Sequence, residues 1–424
     1  MNYKKAYTKK NPYFAAIPKF INLYKVMTIQ IEETHLRNSF RASHLYREFL
    51  SASLFDHHLY NFDLRDKSDF CMFYGKTFFR KDHNKTFINF SSNFENADRV
   101  FSAPLQKKKI HFLRFVIYQC LALIWMCQLL FAGHRLRESF SYLYYLFVCR
   151  ETIKMIEKTP WKKYKFVVVY YDLVSDENCF IQFYQHHGIP GLTLQHGIFS
   201  EKPIVKNISD TAIEFKRSIS DYYLAWNQYT KEEAIIAGMD ANKIVVLGIP
   251  KYATYKKTPR LSTNVDNCFG IVLNNKNFSF HNEQMIRVAN EICHKTGLKY
   301  YLRYHPDLKG DEYQKIVGDG FAGNCNNNLT IEEYSKTVRF TIISSSSVFV
   351  DLVFLQHPVY RLVVSENDTY ATVKLNSFKN ADELLKLLML KTHKDDGELF
   401  KYLCTDYYCL DNYKHFFRKL GEGK

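Results

Sequence analysis

The sequence has no Cys-x-x-Cys pair, no Asp-x-Asp triplet and no recognised nucleic-acid-binding motif. Each absence removes a class of function. Its ten cysteines are scattered without a framework, so they read as reduced core thiols of a cytosolic protein and not as a zinc or disulfide scaffold. Without paired aspartates there is no ready holder for a divalent ion, and metal-independent chemistry is expected. Nucleic acid is an unsupported partner despite a net charge of +15, because charge alone, without a reading motif, is only an electrostatic footprint. The opening residues, MNYKKAYTKKNPYF, are charged and run into no apolar core with a cleavage site, which predicts no secretion signal.

What is present is an aromatic, globular composition. Hydrophobic residues make up 46% of 424, with 35 Phe and 31 Tyr. Disorder is thereby excluded, and the length calls for two domains. The charge is uneven: residues 1–150 hold 23 Lys and Arg against 11 Asp and Glu, a net +12 of the +15. Such asymmetry suits an anionic membrane surface or an acidic polymer, and equally a plain solvated basic face.

Residues 1–105 carry no motif; DFCMFYG and TFINFSS have the composition of short strands. Lys107-Lys108-Lys109 then precedes FVIYQCLALIWMCQLLFAG, residues 115–133, an uncharged run of nineteen. Its length permits a membrane span, while Gln119, Gln128 and the amphipathic stretch that follows suit a buried or membrane-surface helix.

From Trp161 the pattern becomes regular. KYKFVVVYYD, IPGLTLQHG, DYYLAWN and KIVVLGIP read as strands separated by helical stretches, the grammar of a right-handed parallel α/β domain. Gln195-His196-Gly197 falls just past a strand end, where a histidine can serve as a general base at neutral pH. A polar segment, residues 251–267, reads as a linker. A second domain over 268–390 opens with a strand running into Asn274 and Asn275, which suit a nucleotide pocket or a plain polar turn. The strand of LKYYLRYHP brings Arg303, His305 and Pro306 to an edge, an arginine being suited to pyrophosphate. RFTIISSSSVFVDLVFLQHPVY, residues 339–360, reads strand, serine loop, helix, strand. That places Ser345, Ser346 and Ser347 at the carboxyl edge of the sheet, where anions bind in open α/β folds. Asp351, in the helix after them, suits local pairing as well as a site role. Residues 391–424 read as a helical segment. The division is therefore 1–250, linker 251–267, 268–390, and the final segment.

The ordered set LQHG (194–197), LGIPKY (247–252), YLRYHP (301–306) and SSVFVDLVFLQHPVY (346–360) resembles the GT-B glycosyltransferases. Within them it is most similar to the bacterial surface-polymer enzymes that include the CDP-glycerol glycerophosphotransferases and capsule transferases. The resemblance covers residues 165–365 in order. It departs from the glycerophosphotransferases where Ser344 and Ser345 replace an aspartate before the serine pair, and where the Arg-x-His element ends in Pro306, as in sugar-transferring relatives. It implies two Rossmann-like domains facing a cleft, with His196 as base toward an acceptor hydroxyl. Arg303, His305 and the serines would hold a nucleotide-sugar or CDP-polyol donor, with Gln195, Gly197 and Pro306 in support. No cofactor is implied, and the acceptor would be a lipid-linked or polymeric glycan. The protein would be cytoplasmic, peripheral on the inner face of the cell membrane.

Overall fold

The computed structural model describes residues 40–55, 60–75, 81–102, 110–131, 136–173, 175–197, 217–255, 267–365, 372–390 and 393–423, with a few isolated positions between them. The amino-terminal basic stretch, the Lys107–Lys109 cluster and most of the expected linker, residues 256–266, lie outside the described residues.

Two sheets organise the chain. The first contains β1 (Tyr60–Asp63), β2 (Phe70–Tyr74), β3 (Ala97–Ser102), β4 (Phe166–Val169), β5 (Gly191–Leu194), β6 (Tyr222–Ala225) and β7 (Ile244–Val246), in the order β1-β3-β2-β4-β5-β6-β7. All of its pairings are parallel except the edge pair of β1 with β3. Strands buried on both faces need apolar residues at every position, and FCMFY in β2 and FVVV in β4 meet that demand. Helices α1 (Phe40–Leu54), α2 (Lys81–Ser91), α3 (Phe112–Phe131), α4 (Leu136–Ile156), α5 (Ser175–His186) and α6 (Gln228–Ile236) accompany this sheet. Cys71, Phe73, Val167 and Val169 face one core, built with α1, α3, α4 and α5. Phe70, Met72, Phe166 and Val168 face another, where Phe87 and Phe90 of α2 and Phe94 just beyond it pack.

The TFINFSS segment is a correction to the strand reading. It lies in α2 and the turn after it: Phe87 and Phe90, three apart, bury on one face of the helix, and Phe94 in the turn beyond packs against them. DFCMFYG is a strand as expected.

The second sheet contains β8 (Cys268–Val272), β9 (Lys299–Arg303), β10 (Phe321–Asn324), β11 (Thr341–Ile343), β12 (Val359–Leu362) and β13 (Ser377–Phe378), wholly parallel in the order β10-β9-β8-β11-β12-β13. α7 (Ser279–Thr296), α8 (Ile331–Ser335), α9 (Val348–Phe354) and α10 (Ala381–Leu390) flank it. Met285, Ile286 and Ala289 of α7 cover one face together with Leu384 of α10. The other face joins Val272 and Ile343, at the carboxyl ends of β8 and β11, to Tyr229, Ile249 and Tyr252, which follow β6 and β7 of the first sheet. The carboxyl edges of the two sheets therefore meet across a shared apolar seam. Finally α11 (His393–Cys404) closes on the second domain, and α12 (Cys409–Gly421) returns to the first, where Tyr413 and Phe417 bury against its sheet.

Candidate active site

On the first domain, three neighbouring strands send aromatic and imidazole groups past their carboxyl ends. β5 leads into Gln195-His196-Gly197. The Gln195 side chain is wholly occupied: its Oε1 accepts from Trp226 N at 2.7 Å, and its Nε2 donates to Gly197 O at 2.6 Å and to Thr230 Oγ1 at 3.0 Å. Gln195 thus fixes the backbone on both sides of His196. The His196 ring lies against Tyr171, which follows β4, with centroids 3.7 Å apart. His83, on the first turn of α2 after β2, stands 6.2 Å from the His196 ring and 5.3 Å from Tyr170.

Beneath these rings are buried carboxylates. Glu177, in the first turn of α5, accepts from Gly75 N at 2.9 Å and from Tyr171 N, tying the ends of β2 and β4 together. Burial first, and the neighbouring Asp176 second, push its carboxyl above the usual range, against the pull of those N–H donors. Asp172 accepts from Ser218 Oγ (2.7 Å), Ile219 N (2.8 Å) and Ser220 N (2.9 Å). Burial raises its pKa as well, with those hydrogen bonds opposing. Both carboxylates accept from backbone N–H groups, Asp172 from the Ser218 hydroxyl as well, which makes them structural supports of these strand ends.

On the second domain the predicted residues converge on three adjacent strands. Val272 of β8 pairs with Arg303 of β9, and Ile271 with Ile342 of β11. Asn274 and Ser345 each lie two residues past the carboxyl ends of the neighbouring strands β8 and β11. Three buried polar atoms here have no hydrogen-bond partner among the described residues: Arg303 Nη1, Asn274 Oδ1 and Ser345 Oγ. Such orphans cost roughly 1 to 3 kcal/mol each if nothing meets them. Arg303 is otherwise held by Nη2 donating to Leu329 O at 2.6 Å and by its guanidinium lying 5.2 Å above the Tyr334 ring. Burial lowers its pKa, but an arginine begins so high that it stays cationic.

The remaining positions are distributed less evenly. Asn274 is braced by Asn282, whose Oδ1 accepts from its backbone N at 2.8 Å. Asn275 makes a plain turn, its Oδ1 accepting from Asn277 N at 3.0 Å. His305 Nδ1 accepts from Asp307 N at 3.1 Å, so the neutral ring carries its proton on Nε2 as a donor. Pro306, next to it, is exposed. Ser346 Oγ accepts from Val348 N at 3.3 Å, and Ser347 is exposed at the start of α9 without a side-chain cap bond. α9 is only seven residues long, so its dipole adds little and any anion at this edge would be met mainly by side chains. Asp351 is drawn away from this edge: Lys251 Nζ at 2.9 Å and Tyr252 OH at 2.7 Å hold it in the seam between domains.

Sequence reasoning missed His83, Glu177 and His281. His281, buried one turn into α7, shares a 2.9 Å hydrogen bond with Ser344 Oγ at the base of the serine loop. Its signal was its place seven residues after Asn274 on a helix leaving β8. His83 had none, because only the parallel pairing of β2 with β4 brings it near His196.

Two parallel sheets with opposed carboxyl edges and a carboxy-terminal helix returned to the first domain define the GT-B architecture. No protein-family profile matches the chain, and no curated protein matches it in sequence. Solved structures do match in fold. A Listeria monocytogenes protein assigned as a UDP-N-acetylglucosamine 2-epimerase aligns over 84% of this chain and 98% of its own at 10% identity, with a TM-score of 0.52. S. aureus MnaA with UDP aligns over 83% and 96% at 10% identity, TM-score 0.50. The wall teichoic acid polymerase TagF aligns over 95% and 98% at 12% identity, TM-score 0.42.

Proposed function

We propose that the protein is a metal-independent glycosyltransferase that binds a nucleotide-activated sugar on its second domain and transfers the sugar to an acceptor hydroxyl presented to the first. Its product would be a bacterial cell-surface polysaccharide such as a capsule or O-antigen. The observation that carries this reading is the set of three orphan buried atoms at the carboxyl end of β9 and just past the ends of β8 and β11. A guanidinium N–H and a serine hydroxyl suit phosphate oxygens, while an amide oxygen suits a donor group on a base or sugar.

In the transfer, His196 takes the acceptor hydroxyl proton and the freed oxygen bonds to the sugar carbon. The bond from that carbon to the donor phosphate breaks, and the nucleoside diphosphate leaves with its added charge facing Arg303 and the serines. The His305 Nε2–H is a further donor to that charge. Preorganised donors of this kind stabilise developing charge without rearrangement.

A thermal-shift panel of UDP, CDP, GDP, UDP-sugars and CDP-glycerol tests the donor. A ligand that binds only the native state raises the melting temperature with the logarithm of its concentration, and no shift with any nucleotide would refute the site. CDP-glycerol alone giving a shift would select the glycerophosphotransferase alternative. Incubation with UDP-N-acetylglucosamine and no acceptor separates transfer from epimerisation: formation of a sugar epimer would replace the transferase reading.

A further inference from the structure

We infer that the outward face of α3 docks on an anionic lipid surface, with the helix lying in the plane of the membrane interface. α3 inverts the usual amphipathic order. Its polar side chains turn inward: Arg114 donates to Phe55 O at 2.9 Å, Tyr118 to Glu151 of α4, and Gln119 Nε2 to Ser53 Oγ at 3.4 Å. Every fully exposed position on it is apolar or a cysteine, with Leu113 74%, Leu123 70% and Phe131 94% exposed. Twenty residues make a face about 30 Å long, a contiguous apolar surface of the kind that marks an interaction site.

Length and hydropathy would allow this helix to cross a bilayer, but its packing does not. Tyr118, Ala122, Trp125 and Leu129 form a continuous buried stripe along it, seated in the core shared with α1 and α4. A helix held to its domain from Tyr118 to Leu129 meets lipid on one side only. Charge selects the occupant. The run is preceded by Lys107-Lys108-Lys109 and followed by Arg135 and Arg137, within a region of net +12. A second copy docked on the same face would bring two such regions together, whereas the cytoplasmic leaflet is anionic and attracts them.

The test uses the full chain and phosphatidylcholine vesicles with or without roughly a third phosphatidylglycerol. Cys120 and Cys127 are exposed on this face, so an environment-sensitive thiol dye, corrected with the C120S/C127S double variant, reports its surroundings directly. We expect flotation with the anionic vesicles and a blue shift of the dye. Leu113→Gln with Leu123→Gln should weaken partitioning about tenfold or more without lowering the melting temperature, since both side chains are exposed. Absence of flotation with anionic vesicles at low salt overturns the inference. So does binding that is lost by about 0.5 M salt and indifferent to the leucine variants, which would leave charge as the whole attraction. A dye shift and dimerisation that grow with protein concentration alone, and that the leucine variants abolish, would assign the face to a second copy. Flotation is read without turnover, so its failure leaves the donor-site reading standing.

Discussion

At the scale of single residues, the two domains divide the chemistry by the state of their side chains. His196 is framed by Gln195, Tyr171 and His83, and in the proposed transfer it is the group that takes the acceptor proton. His196→Ala should therefore reduce turnover about 10²-fold or more, with donor-nucleotide affinity nearly unchanged in calorimetry. Turnover at the wild-type level would remove the assignment. The donor side is a matter of unmet hydrogen bonds. Arg303→Ala and Ser345→Ala should each weaken nucleotide binding, the arginine by about 1.5 to 3 kcal/mol for a charge-assisted bond. Because Arg303 also rests on Leu329 and Tyr334, the melting temperature of the variant must be measured beside its affinity. Unchanged affinity in both variants would move the phosphate site elsewhere. The absence of an Asp-x-Asp triplet leads to a third expectation: activity in the presence of EDTA. Loss on chelation, restored by magnesium or manganese, would reveal a metal site.

At the scale of elements, α3 depends on a polar clasp in an apolar setting. Tyr118 of α3 donates to Glu151 of α4, and Lys154 Nζ lies 2.8 Å from the same carboxylate. Burial works to raise the Glu151 pKa, yet the hydrogen bonds from Lys154 and Tyr118 outweigh it and hold the group below its ordinary value. A folded pKa below the unfolded one contributes stability above the unfolded value, near pH 4.3, and loses it as pH falls through the folded pKa. Glu151→Gln should then lower stability by about 1 to 2 kcal/mol at neutral pH, with the gap to wild type closing in acid below about pH 4. A gap constant with pH in chemical denaturation would contradict the clasp.

Strands β4 to β9, β11 and β12 were legible in the sequence because their apolar runs alternate with helical spacing and end at Gly, Asn, Ser or Pro; β10, whose FAGN is half exposed and has no apolar run, was not read. The nineteen-residue run was ambiguous for a physical reason: composition shows that a helix is apolar all round, not which stripe is covered. α2 was misread because TFINFSS has the composition of a short strand, whereas its covered positions, Phe87 and Phe90, are three apart as on a helix. At the site, Arg303, Asn274 and Ser345 were readable from their position after strands. Glu177 was not, because its role is to join β2 to β4 across 102 residues.

At the scale of the whole molecule, the domains are joined by far more than a linker. Asp351 reaches Lys251 and Tyr252, and the Tyr252 and Phe354 rings stack 4.0 Å apart. Asn227 Nδ2 donates to Leu403 O at 2.6 Å, Tyr370 N to Tyr229 OH at 2.9 Å, and Tyr413 OH to Gly248 O at 3.0 Å. The tightest point is Gly248, in the LGIPKY segment. Its φ of +103° lies where side chains are strained, and a Cβ built there would come 2.3 Å from Cys409 Cβ, at the start of α12. Glycine is needed on both counts: the backbone takes a left-handed turn and α12 passes directly over it. Gly248→Ala should cost about 3 kcal/mol, strain and overpacking together, and should loosen α12 from the first domain. Hydrogen exchange over residues 409–421 would register that loosening apart from global melting. Cys409→Gly in the same chain removes the clash but not the backbone strain, so stability should return in part, net of the modest penalty for glycine at a helix start. Wild-type melting and exchange in Gly248→Ala would mean that α12 does not bear on this turn, and that the return of the chain to its first domain rests on its other contacts, Tyr413 and Phe417 chief among them.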